Sequence, residues 1–390
     1  MAEDVTRDPS RTQETIAVGL HRVANVVAVG SGKGGVGKST VTANLAAALQ
    51  ESGFRVGLLD ADIYGPSQPD MLGAHGEKAM AQGDVILPTE RHGLRFVSMG
   101  LLLDNADDPV VWRAPIAMKV INQFLGKVAW GDLDYLLIDL PPGTGDVQLT
   151  LAQQAQLSGA VIVTTPQQVA LGVARKGLKM FERVNVPILG IVENMSGFTC
   201  AHCQQITQVF TSGGGVDLAA ELHLPHLGSL PLDPEIVRSG EDGVPVVRRA
   251  PDSAAATAFR QLAERVQEAV VAEDAAQGAR PVDVAVGEDG RVVVGWSDDH
   301  RSEHSAYKLR INCQCARCQD EDTGRRTLDP EQVPLDLTVQ GAHPVGRYAL
   351  SFEFSDGHRT GIYRYELLRE LCECPVCAES RGEQEQAFSV

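Results

Sequence analysis

Residues Ser31 to Thr40 read SGKGGVGKST, and from Gly32 onward they fit the spacing G-x-x-x-x-G-K-[ST]. That spacing serves one chemistry. Gly32, Gly34, Gly35 and Gly37 let the backbone N–H groups of the loop, those of Lys33 and Val36 included, converge on phosphate oxygens. Lys38 brings an ammonium to the β- and γ-phosphates, and Ser39, followed by Thr40, offers a hydroxyl to Mg²⁺. The flanks agree. Val26–Val29 is apolar and β-branched like a buried strand, and Val41 to Gln50 (VTANLAAALQ) reads as a helix whose N-terminus faces the phosphates. This context separates the motif from a flexible glycine-rich turn and predicts an ATP site.

The rest of the chain supplies a sheet for that loop. Val26–Val29, Val56–Leu59, Leu94–Met99, Tyr135–Leu140, Ala160–Thr165, Ile188–Val192 and His226–Leu230 are continuous Val/Ile/Leu runs. Such runs suit a mostly parallel sheet covered by helices on both faces, an α/β P-loop NTPase fold. Phe259, Leu262, Val266 and Val270 mark one face of a closing helix. The expected order is a polar lead-in (1–22), the ATPase domain (23–271) and a linker (272–281, AEDAAQGARP). A small β-rich metal-binding domain (282–379) and a frayed tail (380–390) follow. The last domain contains a repeat: WSDDHR at Trp296–Arg301 and FSDGHR at Phe354–Arg359, each followed by Leu-Arg, two residues and C-x-C-x-x-C.

Charge excludes some partners. With 51 acidic against 34 basic residues, a net −17, the chain is ill suited to broad nucleic-acid binding or to an anionic membrane surface. The first twenty residues are polar and mixed in charge, unlike a signal peptide. No apolar run reaches the roughly 18 residues of a membrane span, so the expected location is the cytoplasm.

Two acidic strings extend the nucleotide site. LLDADIYGPS places Asp60 and Asp62 at the carboxyl end of the second strand, where ligands sit in open α/β sheets. LLIDLPPGTGD ends a strand with Asp139, positioned to hold Mg²⁺ through water, before a glycine-rich segment suited to sensing a γ-phosphate. Each aspartate can equally serve as a helix cap.

The second lysine of the loop, Lys33, makes it resemble the deviant phosphate-loop ATPases, the class of MinD, ParA, the nitrogenase iron protein and the Mrp-type carriers. The strings GSGKGGVGKST, LLDADIYGPSQP, LLIDLPPGTGDVQLTLAQ, VIVTTPQQVAL and GIVENMSGFTCAHC, with Gly213–Gly215 and LGSLPLDP, resemble the Mrp/ApbC branch of iron–sulfur cluster carriers over roughly Val23 to Val271. The resemblance implies a homodimer closed around ATP, with Lys33 reaching the partner's nucleotide; a solvated loop lysine is the plain alternative. It implies that Asp62, 24 residues after Lys38, orients or deprotonates the attacking water, and that Asn194 contacts adenine. Two features depart from the family: the N-terminal helper domain common in bacterial members is absent, and Trp112-Arg113-Ala114-Pro115 has alanine in place of the usual glycine.

All eight cysteines fall into three groups, which in a cytosolic enzyme points to metal or redox chemistry, not to a disulfide scaffold. Cys200 and Cys203 are two thiolates, and a cubane cluster takes four, so a two-fold dimer would supply the others. The resemblance likewise implies a labile cluster, of the 4Fe–4S type, bridging subunits. Half a zinc site and a redox dithiol are the alternatives, although Ser196–Thr199 intervenes between strand and motif, unlike a thioredoxin-type arrangement. The C-terminal region resembles the N-terminal zinc domain of γ-butyrobetaine hydroxylase, which implies Zn²⁺ at Cys313, Cys315, Cys318 and His358, with iron–sulfur as the alternative. Cys372, Cys374 and Cys377 have no family precedent. They bind a second zinc with His300, complete a cluster with other thiols, or form a docking point; all six of these cysteines could be purely structural.

The functional expectation is an ATPase that carries an iron–sulfur cluster and delivers it to apoproteins. The alternative is a MinD/ParA-like positioning ATPase without metal cargo, which calls for a basic C-terminal membrane helix or a basic DNA face. A reductase passing electrons from a bridging cluster is a third class, but it draws its ligand cysteines from separate loops.

Overall fold

The computed structural model describes residues 19–20, 22–63, 65–102, 114–143, 145–200, 203, 205–209, 213–276, 278–287, 289–319, 325–345 and 347–377. Most of the lead-in 1–22, Trp112 and Arg113, and the tail 380–390 lie outside them. The chain divides into two compact units, one within Met1–Leu151 and Gly159–Gln267, the other within Ala152–Ser158 and Glu268–Val390.

In the first unit β1 (Val23–Ser31) leads to α1 (Lys38–Glu51), β2 (Val56–Asp60) and the short α2 (Gln68–Met71). The hairpin β3 (Met80–Gln82) and β4 (Val85–Leu87) and the edge strand β5 (Thr89–Arg91) precede β6 (Leu94–Ser98). Then come α3 (Ala114–Lys127), β7 (Leu133–Asp139), α4 (Asp146–Gln154), β8 (Gly159–Thr164) and α5 (Gln168–Arg183). The series continues with β9 (Ile188–Thr199), β10 (Ile206–Thr207), α6 (Gly214–Glu221), β11 (His226–Leu232), α7 (Pro234–Glu241), α8 (Val246–Arg249) and α9 (Ala254–Ala276), which passes into the second unit at Glu268. Nine strands form one sheet in the order β10-β9-β8-β1-β7-β2-β6-β5, with β11 on β9. All seven expected strands are in it, and they pair in parallel; only β5 and β10 run antiparallel. From β1 the chain crosses toward β2, and from β8 it crosses the other way toward β9. Right-handed crossovers therefore place α1 and α5 on opposite faces. Val27, Leu58, Leu137 and Val161 are fully buried between them, which is why these strands carry no alternating pattern.

Two boundaries differ from the sequence reading. The helix α9 runs to Ala276, five residues into the segment read as linker. The sequence there, AEDAA, is dominated by the helix formers Ala and Glu, and Gly278, at φ +72°, follows shortly after Ala276. The strand β9 does not end at Val192 but continues to Thr199 past a bulge: Leu230 faces Asn194, whereas Leu232 faces Phe198. Met195, at φ +57°, turns the backbone there.

The second unit is two copies of one motif. In the first copy, β12 (Pro281–Val286), β13 (Val292–Trp296) and β14 (Arg301–His304) form an antiparallel sheet followed by α10 (Ala306–Ile311). In the second, β15 (Val339–Val345), β16 (Ala349–Phe354) and β17 (Ile362–Arg364) are followed by α11 (Tyr365–Glu370). Each helix leads into a C-x-C-x-x-C. The copies share one core, in which Trp296, Leu309, Phe352, Phe354 and Tyr363 are buried, and the Tyr363 hydroxyl donates to Leu309 O at 2.9 Å.

Candidate functional site

The sheet register sets the nucleotide site. Asp60 is paired with Asp139 on one side and with Ser98 on the other, so the carboxyl ends of β2, β7 and β6 lie level beside the loop that follows β1. In that loop Gly32 packs on the backbone of α5, where an added Cβ would stand 2.5 Å from the Val173 carbonyl carbon. Gly37 caps α1 at φ +79°, and a Cβ there would run into Asn194 Nδ2. The first-turn amides of α1 thus point out of the helix beside the loop, the geometry that binds phosphate.

Lys38 Nζ forms an ion pair with Asp139 Oδ1, and the two side chains are 6% and 0% exposed. Asp139 also accepts from Thr42 Oγ1 at 3.2 Å and from Gln68 Nε2 at 2.8 Å. Asp60 accepts from the Ser98 hydroxyl at 2.9 Å and from the backbone N–H groups of Asp62, Ser67 and Gln68, each at 3.2 Å. Burial and the neighbouring Asp139 push the Asp60 carboxyl up to about 7, against the pull of those donors and of Lys38. Asp60 therefore anchors the loop that carries Asp62, which is half-buried and accepts from Gly65 N–H at 3.3 Å. Ser39 and Lys33 are half-buried in the phosphate loop, and the Lys33 carbonyl accepts from Ser31 Oγ at 3.0 Å.

Gln68 is the residue that sequence reasoning missed. Fully buried, it ties Asp139 to Ser39 O (3.1 Å) and leaves its own Oε1 without a partner among the described residues. Its place just before Pro69, at the start of α2, was the available signal, but nothing in the spacing says that the amide turns back toward β7.

Asn194 donates to Val36 O at 2.8 Å, so it clasps the phosphate loop from β9. It also lines a cavity of about 390 Å³ together with Gly37, Thr40, Pro231, Leu232 and Asp233. That volume and position, directly behind the loop, suit a nucleotide base. One residue earlier, buried Glu193 accepts from Gly215 N–H at 2.5 Å, which explains the glycine run at the start of α6.

Five residues after the bulge at Met195, Cys200 leaves β9. Its N–H donates to Gln205 O at 3.0 Å, and β10 pairs back onto Phe198 and Thr199. Cys200 and Cys203 thus lie between two strands that pair with each other in antiparallel fashion. Ser196–Thr199 belongs to the strand and does not intervene as a loop; the difference from a thioredoxin-type motif lies in the hairpin that replaces a helix start. Cys200 is half-buried and Cys203 exposed.

In the second unit Cys313, Cys315 and Cys318 surround His358, with Sγ···Nε2 distances of 3.2, 3.7 and 3.9 Å. Tetrahedral zinc with Zn–S of about 2.3 Å and Zn–N of about 2.0 Å has S···N edges of about 3.5 Å, so the set fits that ion. Burial pushes the Cys313 thiol up to about 12. At Cys315 burial is outweighed by hydrogen bonds from the Thr360 hydroxyl, the Arg317 N–H and the neighbouring thiols, and the thiol falls to about 7. Burial also lowers His358 and keeps its imidazole neutral, as a ligand must be. Cys372, Cys374 and Cys377 gather in the same way around His300.

Comparison with known proteins agrees with both halves. The family model of the NUBPL iron-transfer P-loop NTPases matches residues 22–267, and that of the gamma-butyrobetaine hydroxylase-like N-terminal domain matches residues 285–369. An iron–sulfur cluster carrier protein of Aquifex aeolicus is 49% identical over 249 residues, 64% of this chain and 68% of its own. A protein of the same name from Escherichia coli K12 is 49% identical over 249 residues, 64% of this chain and 67% of its own. Among solved structures, the nucleotide-binding protein of Archaeoglobus fulgidus in complex with ADP is similar with a TM-score of 0.53 and 41% identity, over 60% of this chain and 91% of that one. Both resemblances read from the sequence are borne out.

The loop geometry makes unequal demands on its glycines. Gly37→Ala adds a methyl against Asn194 at a left-handed φ, so it should cost about 1–3 kcal/mol and weaken ADP binding at least about tenfold. At Gly34 an added Cβ meets nothing within 4 Å, and Gly34→Ala should stay within about 0.5 kcal/mol of wild type. Thermal melts with calorimetric ADP titration check the pair; equal melting temperatures for the two variants would contradict the geometry.

Proposed function

This chain belongs to the NUBPL iron-transfer P-loop NTPase family, and we propose that it is an ATP-dependent iron–sulfur cluster carrier that works as a cytoplasmic homodimer. The observation that carries this reading is a single strand. β9 holds Asn194 against the phosphate loop and ends at Thr199, next to Cys200. Nucleotide site and cargo site therefore lie along one strand and the turn that follows it. None of the eight cysteines is in a disulfide, and six of them lie in the two C-terminal sets that each contain a histidine. That leaves Cys200 and Cys203 as two thiolates for a 4Fe–4S cargo that takes four, so a second copy supplies the remainder. Lys33, half-buried in the loop, would reach the partner's nucleotide in the same dimer. The recipients are apo iron–sulfur proteins. Among the described residues no helix is long and apolar enough to cross a membrane.

The proposed chemistry follows from the cradle. Phosphate oxygens compete with Asp139 for the Lys38 ammonium, and the loop amides take the remaining charge. The Ser39 hydroxyl and the Asp139 carboxylate are the hard oxygen donors that fit Mg²⁺, which when bound offsets charge on the β- and γ-phosphates. Asp62 orients water toward the γ-phosphorus and accepts its proton as the bond to ADP breaks. Zn²⁺ at Cys313, Cys315, Cys318 and His358 is assigned a structural part.

Separate roles for Lys38 and Asp62 give separate defects. Lys38→Ala should abolish tight ATP binding, and because it leaves Asp139 buried and unpaired it should also destabilise the fold by about 3–5 kcal/mol. Asp62→Ala should bind ATP normally and hydrolyse it about 10²–10⁴-fold more slowly. Calorimetric binding and phosphate-release rates decide; comparable loss of binding in both variants would refute the assignment.

Cys200→Ser or Cys203→Ser removes two of the four cluster ligands per dimer. After anaerobic reconstitution each variant should lose the visible sulfur-to-iron charge-transfer absorbance while keeping its ATP affinity. Undiminished absorbance in the double variant would move the cluster to the C-terminal cysteines.

A further inference from the structure

We propose that the C-terminal unit holds a second closed tetrahedral metal site, made by His300 with Cys372, Cys374 and Cys377, and that the two sites join its two halves reciprocally. His300 Nε2 stands 3.5, 4.0 and 3.6 Å from the three sulfurs, and all four ligand atoms lie within 4.8 Å of one another. These distances cluster around the S···N edge of about 3.5 Å expected for zinc with three thiolates and one imidazole. Cys372 and Cys374 are buried, the Cys374 N–H donates to Cys372 Sγ at 3.4 Å, and the Cys377 N–H donates to Cys374 Sγ at 3.5 Å. N–H groups aimed at sulfur favour the thiolate form that a metal requires.

The framework around this site repeats that of the first. Trp296 N–H donates to His300 O at 2.9 Å, as Phe354 N–H donates to His358 O at 3.0 Å. Asp298 accepts from His300 N–H at 3.3 Å, as Asp356 accepts from His358 N–H at 2.9 Å. The residue before each histidine, Asp299 or Gly357, is left-handed, at φ +62° and +81°. In both sites the contributions cross over. His358 of the second copy meets the cysteines of the first, and His300 of the first copy meets the cysteines of the second. The ion pairs cross likewise: Arg310 of the first copy binds Asp356 of the second at 2.7 Å, and Arg369 of the second binds Asp298 of the first at 2.9 Å. Each half therefore supplies three thiolates to one ion and one imidazole to the other.

The third ligand group lies beyond the family match, which ends at residue 369, so the pairing rests on this chain's own residues. It also stands apart from the carrier reading, since neither site includes Cys200 or Cys203. Four protein ligands leave no open position, which marks the site as structural and excludes a docking role for the second trio. A soft, tetrahedral donor set of this kind selects Zn²⁺ or, as a probe, Co²⁺.

The test uses the full chain carrying Cys200→Ser and Cys203→Ser, so that only the C-terminal thiols bind metal. Titration with Co²⁺ alone, followed by its tetrahedral ligand-field bands, should saturate at two equivalents per chain. Cys315→Ser and Cys374→Ser should each retain one equivalent, and the two together none. His300→Cys should keep two equivalents with stronger thiolate-to-cobalt absorbance, because sulfur replaces nitrogen in one site; this arm holds even if a serine variant fails to fold and loses both ions. Saturation at one equivalent in the parent, two equivalents in Cys374→Ser, or an unchanged spectrum in His300→Cys would overturn the second site.

Discussion

The buried ion pair between Lys38 and Asp139 organises the nucleotide half. A lysine 6% exposed and a carboxylate 0% exposed persist in an apolar sheet only because each neutralises the other and because Thr42 and Gln68 satisfy the remaining lone pairs. The pair joins the start of α1 to the end of β7, and Gln68 extends the link to the loop after β2. Asp60 lies next to it in the register, and burial and Asp139 raise it against the pull of its hydrogen bonds and of Lys38. The loop bearing Asp62 hangs from Asp60 through three backbone N–H groups. Any ligand that draws Lys38 away from Asp139 thus alters the charge balance to which that loop is tied.

The strand β9 carries the consequence toward the cysteines. Asn194 holds the phosphate loop, the left-handed Met195 and the bulge redirect the chain, and the hairpin that follows presents Cys200 and Cys203. A left-handed, bulky residue between Asn194 and Cys200 is a place where strain is held by its surroundings. The same arrangement argues against a positioning ATPase without cargo, because such a switch has no use for paired thiols at the end of the strand that clasps its phosphate loop.

Much of this was legible in the sequence, for identifiable reasons. The phosphate loop, Asp139 and the seven parallel strands are short-range patterns, and a buried parallel strand reads as an unbroken apolar run. Cys313, Cys315, Cys318 and His358 could be grouped by resemblance even though His358 is 40 residues from Cys318. Other features depend on tertiary partners. Gln68 acquires its meaning only when α2 folds back on β7. Ser196-Gly197 looks like a loop, but β10 and β11 supply pairing that keeps it in the sheet around a bulge. AEDAA was read as a linker from its polarity, whereas its helix propensity carried α9 through it. The repeat WSDDHR/FSDGHR was visible, and resemblance already gave His358 to the first cysteine trio, whereas His300 with the second trio was one of several alternatives until the fold brought them together.

The central claim is that one cluster is held between two chains by the hairpin at the end of β9. Native mass spectrometry of the anaerobically reconstituted, ATP-loaded protein tests this directly. The account predicts a species of two chains with a single cluster, converted by Cys203→Ser into cluster-free protein. A cluster retained on single chains, or two clusters per pair of chains, would contradict it.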